Sequence, residues 1–239
     1  MTPNVGVVVF PGSNCDRDAH WSFGLMGAKV RYLWHLETDL SELDAVVLPG
    51  GFAYGDYLRV GAMAAYSPVM EAVKEFAASG KFVLGVCNGF QVLCEAGLLP
   101  GALRRNDTLR FRCMPVRVRV ETQDTAFTTG MWPGQVLAIP IAHFDGNYYC
   151  TQECVEQLEA ERRVAFRYCD REGELTEESN PNGSVGHIAG VFNEHRNVLG
   201  MMPHPERAVD PVVGGTDGRL ILTSLLSSIA SAASRVPSP

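Results

Sequence analysis

The segment Lys81-Phe-Val-Leu-Gly-Val-Cys-Asn-Gly-Phe-Gln91, KFVLGVCNGFQ, decides the fold. Its opening, KFVLGV at 81–86, is an apolar run of strand length, and the residues from Asn88 to near Glu95 read as a helix. Cys87 stands between them. A strand, a sharp turn bearing a nucleophile and then a helix make a nucleophile elbow, with cysteine where hydrolases carry serine. A thiol in that position meets the carboxyl edge of a sheet, where N–H groups of the new helix favour a thiolate and a developing oxyanion. A cysteine buried for packing alone fits the same local pattern, so the rest of the chain has to decide.

Working outward, the first half alternates strands and helices. VGVVVF at 5–10, KVRYLW at 29–34 and DAVVLP at 44–49 read as strands. Helices are expected over 15–28, with Trp21, Leu25 and Ala28 along one face, and over 66–78, where Tyr66, Val69, Met70, Val73, Phe76 and Ala77 have helical spacing. Apolar strands separated by amphipathic helices predict an α/β fold: an open, mostly parallel sheet flanked by helices. In such sheets the chemistry gathers beyond the carboxyl ends of strands. That rule singles out the loops after Phe10, Pro49, Val86 and Met202.

The second half changes texture. LRFRCMPVRVRVE alternates like a half-exposed strand, VLAIPIA and RRVAFRYC add strand material, and 170–186 reads as a solvated loop. IAGVFN at 188–193 and NVLGMM at 197–202 predict a hairpin that leads into MPHPERA. GRLILTSLLSSIASAA follows as an amphipathic helix, and the Pro/Ser tail over 233–239 is expected to fray. The 239 residues contain no repeat and no long linker, so a single domain over 1–239 is expected.

Composition excludes several classes. With 27 acidic and 20 basic residues the formal charge is −7, and no basic run offers a nucleic-acid surface. No long uncharged apolar span is present for a membrane, and no secretory leader is visible ahead of Val5. Seven cysteines lack disulfide-scaffold density, which suits a reducing, cytoplasmic setting. Cys150, Cys154 and Cys169 make no tight pair with a histidine-bearing second half, so neither a metal nor a cofactor is expected in this chain.

Pro203-His204-Pro205-Glu206 raises Cys87 above the packing reading. Flanking prolines restrict the backbone at His204, and two residues of extended chain put His204 and Glu206 on one side. Such an imidazole takes a proton from a thiol and returns it to a leaving amine, while the carboxylate fixes the tautomer. Gly50-Gly51 follows a strand and can turn its N–H groups above the sheet, where that of Gly51 and that of Asn88 would converge on an anionic oxygen. GxGxxG and GxxxxGK[ST] are both absent here.

The set VVVFPGSNCDRD, LPGGFAYGDYLRVGA, GVCNGFQ, IAHFDGNYY and NPNGS…GMMPHPERA resembles class I glutamine amidotransferases. Within them it is most similar to the glutaminase subunits of phosphoribosylformylglycinamidine synthase, over about residues 5–230. The resemblance implies a flavodoxin-like three-layer sheet with additional strands in the second half. It also implies hydrolysis of L-glutamine to glutamate and ammonia through a glutamyl thioester. Cys87 would be the nucleophile, His204 base then acid, Glu206 its orienter, and Gly51 and Asn88 the oxyanion donors. Gln91 matches a position that helps hold glutamine, and His143, Phe144, Asp145, Gly146, Asn147 and Tyr148 match a loop lining the amino-acid pocket. Phe144 and Asp145 depart from the commoner small residue and Glu.

The implied partners are a large ATP-dependent synthase subunit, which would hold ATP and Mg, and a small bridging subunit. Loops bearing Cys15, Tyr54 and Asp56 form the expected docking face. Alternatives are another class I amidotransferase or cysteine hydrolase on the same fold, or a non-catalytic scaffold. Cys15 is expected to be structural or to touch a partner. His20, His35 and His187 read as surface, helix-face or loop histidines, and Asp16, Arg17 and Arg59 as solvated loop charges.

Overall fold

The apolar runs of the first half form parallel strands, β1 (Asn4–Val9), β2 (Lys29–Trp34), β3 (Ala45–Leu48) and β4 (Phe82–Val86). The second half adds β5 (Ala102–Arg104), β6 (Arg112–Val120), β7 (Val136–His143), β8 (Asn147–Tyr149), β9 (Val164–Cys169), β10 (Ile188–Phe192) and β11 (Val198–Met201). The computed structural model describes residues 1–233. From residue 234 onward the expected frayed tail lies outside them.

One sheet runs in the order β2-β1-β3-β4-β11-β10-β9-β6-β7, and β5 pairs with β8 separately. β2, β1, β3, β4 and β11 are mutually parallel; β10, β9, β6 and β7 continue antiparallel. The predicted parallel sheet and its additional strands are thus both present. The β10–β11 hairpin is as expected, and it inserts its second strand beside β4. β3 and β11 are buried at every residue, as strands covered on both faces must be.

Among the described residues five α-helices accompany the strands: α1 (Asp16–Leu25), α2 (Pro68–Ala78), α3 (Asn88–Glu95), α4 (Gln152–Ala160) and α5 (Gly218–Ala233). α1 packs on β1 and β2, α2 on β4, and α3 on β3, β4 and β11. One hydrophobic cluster runs from Val5 on β1 to Ile229 on α5.

Four expectations need correction. α1 buries Ala19, Ser22 and Phe23, whereas Trp21 and Leu25 are exposed; the i, i+3, i+4 set that meets β1 and β2 wins over the larger side chains. α2 starts at Pro68, a residue suited to the first turn, which leaves Tyr66 outside the helix and 90% exposed. The 170–186 stretch is not wholly solvated, because Asn182 and Ser184 are buried. α4, unforeseen, starts at Thr151, whose side chain accepts the N–H of Cys154 at 3.3 Å, and it buries Val155 and Leu158.

Candidate active site

β4 and β11 are adjacent and parallel, with Val86 opposite Met201, so their carboxyl ends open onto one place. Cys87 leaves β4 with φ 50° and ψ −107°, and its N–H reaches the Met201 carbonyl at 2.8 Å. That left-handed conformation is costly for a residue with a side chain and characterises strained functional turns. Glycines on either side let the elbow close. A Cβ at Gly89 would lie 1.9 Å from the Leu48 carbonyl oxygen, and one at Gly85 would lie 2.4 Å from Leu93 Cδ1.

His204 comes off the end of β11 between its prolines, held by an N–H donated to the Pro140 carbonyl at 2.8 Å. Its Nδ1 donates to Glu206 Oε1 at 2.6 Å, and both side chains are buried. Nε2 and the second Glu206 oxygen have no partner, which leaves Nε2 available to a reacting group. A methyl group at Gly50 would meet His204 Cε1 at 2.8 Å, Cys15 Sγ at 3.1 Å and Cys87 Cβ at 3.4 Å, so glycine is what allows these three side chains to approach. Burial alone would discharge the imidazole, but Glu206, with Cys87 beside it, outweighs that and raises His204 to about 10. Cys87 Sγ points toward the Ala142 carbonyl at 3.6 Å. Thiol, imidazole and carboxylate therefore stand together in the order that proton transfer requires.

The loop after β3 closes one side. Gly51 adopts φ +146° and lines the cavity. Asn88 Oδ1 accepts the Ala53 N–H at 3.1 Å, its Nδ2 donates to Gln91 Oε1 at 2.8 Å, and Gln91 Nε2 donates to the Asp145 carbonyl at 2.6 Å. Tyr54, Asp56 and Leu58 all have positive φ. Burial, followed by the nearby Asp145 carboxylate, raises Asp56 to about 6, and its Oδ1 has no partner. Burial also raises Asp145.

On the loops expected to dock a partner, the Cys15 and Tyr54 side chains turn inward. Cys15 is buried against the site, bonded through its sulfur to Arg207 Nη2 at 3.0 Å, and burial followed by Glu206 pushes its thiol up to about 12. Tyr54 spends its hydroxyl on His35 Nδ1 at 2.8 Å and Ser67 Oγ at 3.0 Å, which also gives His35 a partner that its sequence context does not reveal. The exposed apolar side chains along 52–58 are Phe52, Tyr57 and Leu58. Cys15, His204 and Glu206 each offer a ligand atom within 4.8 Å of the others, a grouping that could hold a metal ion.

The His143–Tyr148 loop is built on two buried asparagines that the motif reading missed. Asn106 Oδ1 accepts from His143 Nδ1 at 3.0 Å and from the Gly146 N–H at 3.1 Å, and Asn182 Nδ2 donates to the Gly146 carbonyl at 2.8 Å. Burial, reinforced by His204, lowers His143 to about 3, so it stays neutral. The NPNGS run was the available signal for Asn182; nothing local marks Asn106. His143, Phe144 and Asp145 line a cavity of about 160 Å³ together with Cys87, Gln91 and His204. Gly146, Asn147 and Tyr148 lie outside that lining, and Tyr148 is instead a core residue, stacked on Phe90 and donating its hydroxyl to Pro100 at 2.8 Å.

The model of the CobB/CobQ-like glutamine amidotransferase domain matches residues 2–216. The phosphoribosylformylglycinamidine synthase subunit PurQ of Koribacter versatilis (strain Ellin345) is 55% identical over 226 residues, 94% of this chain and 98% of the relative. Its namesake from Moorella thermoacetica (strain ATCC 39073 / JCM 9320) is 56% identical over 222 residues, 92% of this chain and 94% of the relative. Among solved structures, a chain of PurLQS from Thermotoga maritima superposes with a TM-score of 0.85 at 42% identity, covering 95% of this chain and 99% of its own. The elbow, the buried His-Glu pair and these likenesses agree: the chain belongs to the CobB/CobQ-like glutamine amidotransferase family, among the PurQ subunits of phosphoribosylformylglycinamidine synthase.

Proposed function

We propose that this chain is the glutaminase subunit of phosphoribosylformylglycinamidine synthase, with Cys87, His204 and Glu206 as its catalytic residues. It hydrolyses L-glutamine and passes ammonia to the synthase subunit that converts formylglycinamide ribonucleotide to the amidine. The observation that carries the assignment is the 2.6 Å His204–Glu206 pair, buried beside an elbow cysteine whose backbone is held at positive φ.

Cys87 sulfur attacks the carboxamide carbon as the thiolate, with its proton already held by His204. The N–H groups of Gly51 and Asn88 receive the oxyanion, a contribution of about 3 kcal/mol to the barrier for each such donor. The C–N bond breaks as His204 protonates the nitrogen, and ammonia leaves. Water, deprotonated by His204, then splits the thioester to glutamate. Asp56 and Asp145 carry negative charge at the cavity for the substrate's α-ammonium, and Gln91 positions the Asp145 segment.

Ammonia released into water becomes ammonium and ceases to be a nucleophile, so the reaction belongs in a complex. The Thermotoga structure carries the name of a three-part assembly, and we place this chain likewise against a large subunit that uses ATP and Mg, with a small bridging subunit. Among the described residues no helix is long and apolar enough to cross a membrane, and all seven cysteines are free, as suits the cytoplasm. The test is glutamate release by Cys87→Ala in the assembled enzyme, together with covalent capture of wild-type Cys87 by a glutamine-analogue electrophile. Loss of glutamate release in the variant and labelling of Cys87 in the wild type are expected. Glutamate release at the wild-type rate would overturn the assignment.

A further inference from the structure

β9 pairs with β6 only from Arg117 to Val120, so the leading half of β6 faces the 170–181 loop across a gap instead of another strand. The gap is a cavity of about 350 Å³, on residues other than those lining the glutamine cavity. Arg112, Arg117 and Arg171 line it. Elsewhere among the described residues, Arg31, Arg59, Arg119, Arg163, Arg167 and Arg207 each meet a carboxylate, Arg104 and Arg105 lie over the rings of Tyr149 and Phe144, and others such as Arg17 and Arg110 meet neither. Among the described residues the three lining arginines meet no carboxylate, and no aromatic face stacks on them. Arg112 Nε is moreover cut off from water with no acceptor.

Three guanidinium groups without a carboxylate within salt-bridge reach share this one concavity, with Arg112 and Arg117 half-buried and Arg171 exposed at its rim. Two carboxylates share the lining. Asp170 Oδ1 is turned into its own loop, accepting the N–H groups of Glu172 and Glu174 at 3.0 and 2.8 Å, and Glu178 is exposed. A half-buried guanidinium without a counter-charge is costly, and an anion held in the cavity supplies that charge. A tetrahedral dianion with several acceptor oxygens suits several planar donor forks at once, as a single carboxylate does not. Met114, Pro115 and Pro181 add an apolar shelf beside the arginines.

We propose that this cavity is a binding site for a phosphate group, taken as a phosphate monoester of a sugar or as inorganic phosphate. The site has a route to the glutamine cavity. Arg112 is the register partner of His143 on β7, and His143 with Asn106 braces the loop that carries Asp145.

The test is calorimetric titration of the full chain with inorganic phosphate and, separately, with ribose 5-phosphate. It compares the wild type with Arg117→Ala/Arg171→Ala and with the corresponding double lysine variant, and leaves Arg112 in place beside His143. Thermal unfolding checks that both variants fold. Saturable one-to-one binding is expected, weakened about tenfold or more in the alanine variant and partly restored by lysine. Tighter binding of ribose 5-phosphate than of phosphate identifies a monoester as the ligand, and equal binding identifies the inorganic ion. No saturable binding below about 10 mM of either probe, or equal affinity in the alanine variant, overturns the proposal. If neither probe binds and the alanine variant instead fails to assemble with the synthase subunits, the arginines serve an acidic partner face and the proposal is likewise overturned.

Discussion

Asn88 Oδ1 accepts the backbone N–H of Ala53 at 3.1 Å, tying the first turn of α3 to the loop that carries Gly51. Through Gln91 the same amide chain reaches the Asp145 carbonyl, so the nucleophile's helix, the oxyanion loop and the substrate loop share one buried brace. Asn88→Ala strips the acceptor from Ala53 and the donor from Gln91. Stability is expected to fall by about 1–3 kcal/mol, and kcat for glutamine by about 10–100-fold with a smaller change in KM. Urea denaturation and steady-state glutamate release check both. An unchanged kcat would mean that the loops keep their places without the brace.

Asp56 should impose a pH dependence on glutamine binding. Its carboxyl is raised to about 6, so as pH falls through that value it takes a proton and loses its attraction for the α-ammonium. KM in the wild-type complex is expected to rise on the acid side. Asp56→Asn should raise KM about tenfold at neutral pH and remove the acid-side rise, read by glutamate release over roughly pH 5 to 8. The same acid-side rise persisting in the variant would assign it to another group.

Glu206 sets the charge of His204, and the sign of its effect on stability follows. His204 rises from 6.5 to about 10 on folding, so the pair's contribution is complete below 6.5 and is lost as pH climbs through 10. Urea midpoints of the wild type should therefore decline across that window, whereas those of Glu206→Gln should be flatter. Activity of the variant is expected to drop by about 10²–10⁴, because the imidazole loses its orienting carboxylate. Parallel urea curves for the two proteins would contradict this account.

Gly89→Ala tests how the elbow closes. The added carbon would stand 1.9 Å from the Leu48 oxygen, a contact with backbone that no rotamer change can relieve. Either β3 or α3 must move, at about 1–3 kcal/mol, and Cys87 moves with α3. Expected are a lower melting temperature and little glutaminase activity, against near-normal behaviour for Gly24→Ala, whose added carbon meets nothing within 4 Å and which is not in the left-handed region.

The parts of this site that sequence makes legible are local. Strand, cysteine and helix follow one another within KFVLGVCNGFQ, and His204 and Glu206 lie two residues apart between prolines. What escapes is whatever depends on packing at a distance. Asn106 becomes a support for His143 only because β6, β7 and the NPNGS loop converge, and nothing in its neighbours announces that. Trp21 and Leu25 look like the inward face of α1, yet Ala19, Ser22 and Phe23 match the surface that β1 and β2 present. Cys15 reads as structural or partner-touching, and only the fold shows that Arg207, far along the chain, is its neighbour.

β4 and β11 lie side by side, although roughly half the chain separates them. During synthesis the ribosome therefore releases Cys87 long before the segment that supplies its base. The nascent chain carries a bare thiol with no imidazole beside it until β11 slides between β4 and β10. Non-local strand pairing of this kind forms late in folding. A truncated product ending before residue 198 would lack His204 and Glu206, and with them the base and its orienting carboxylate.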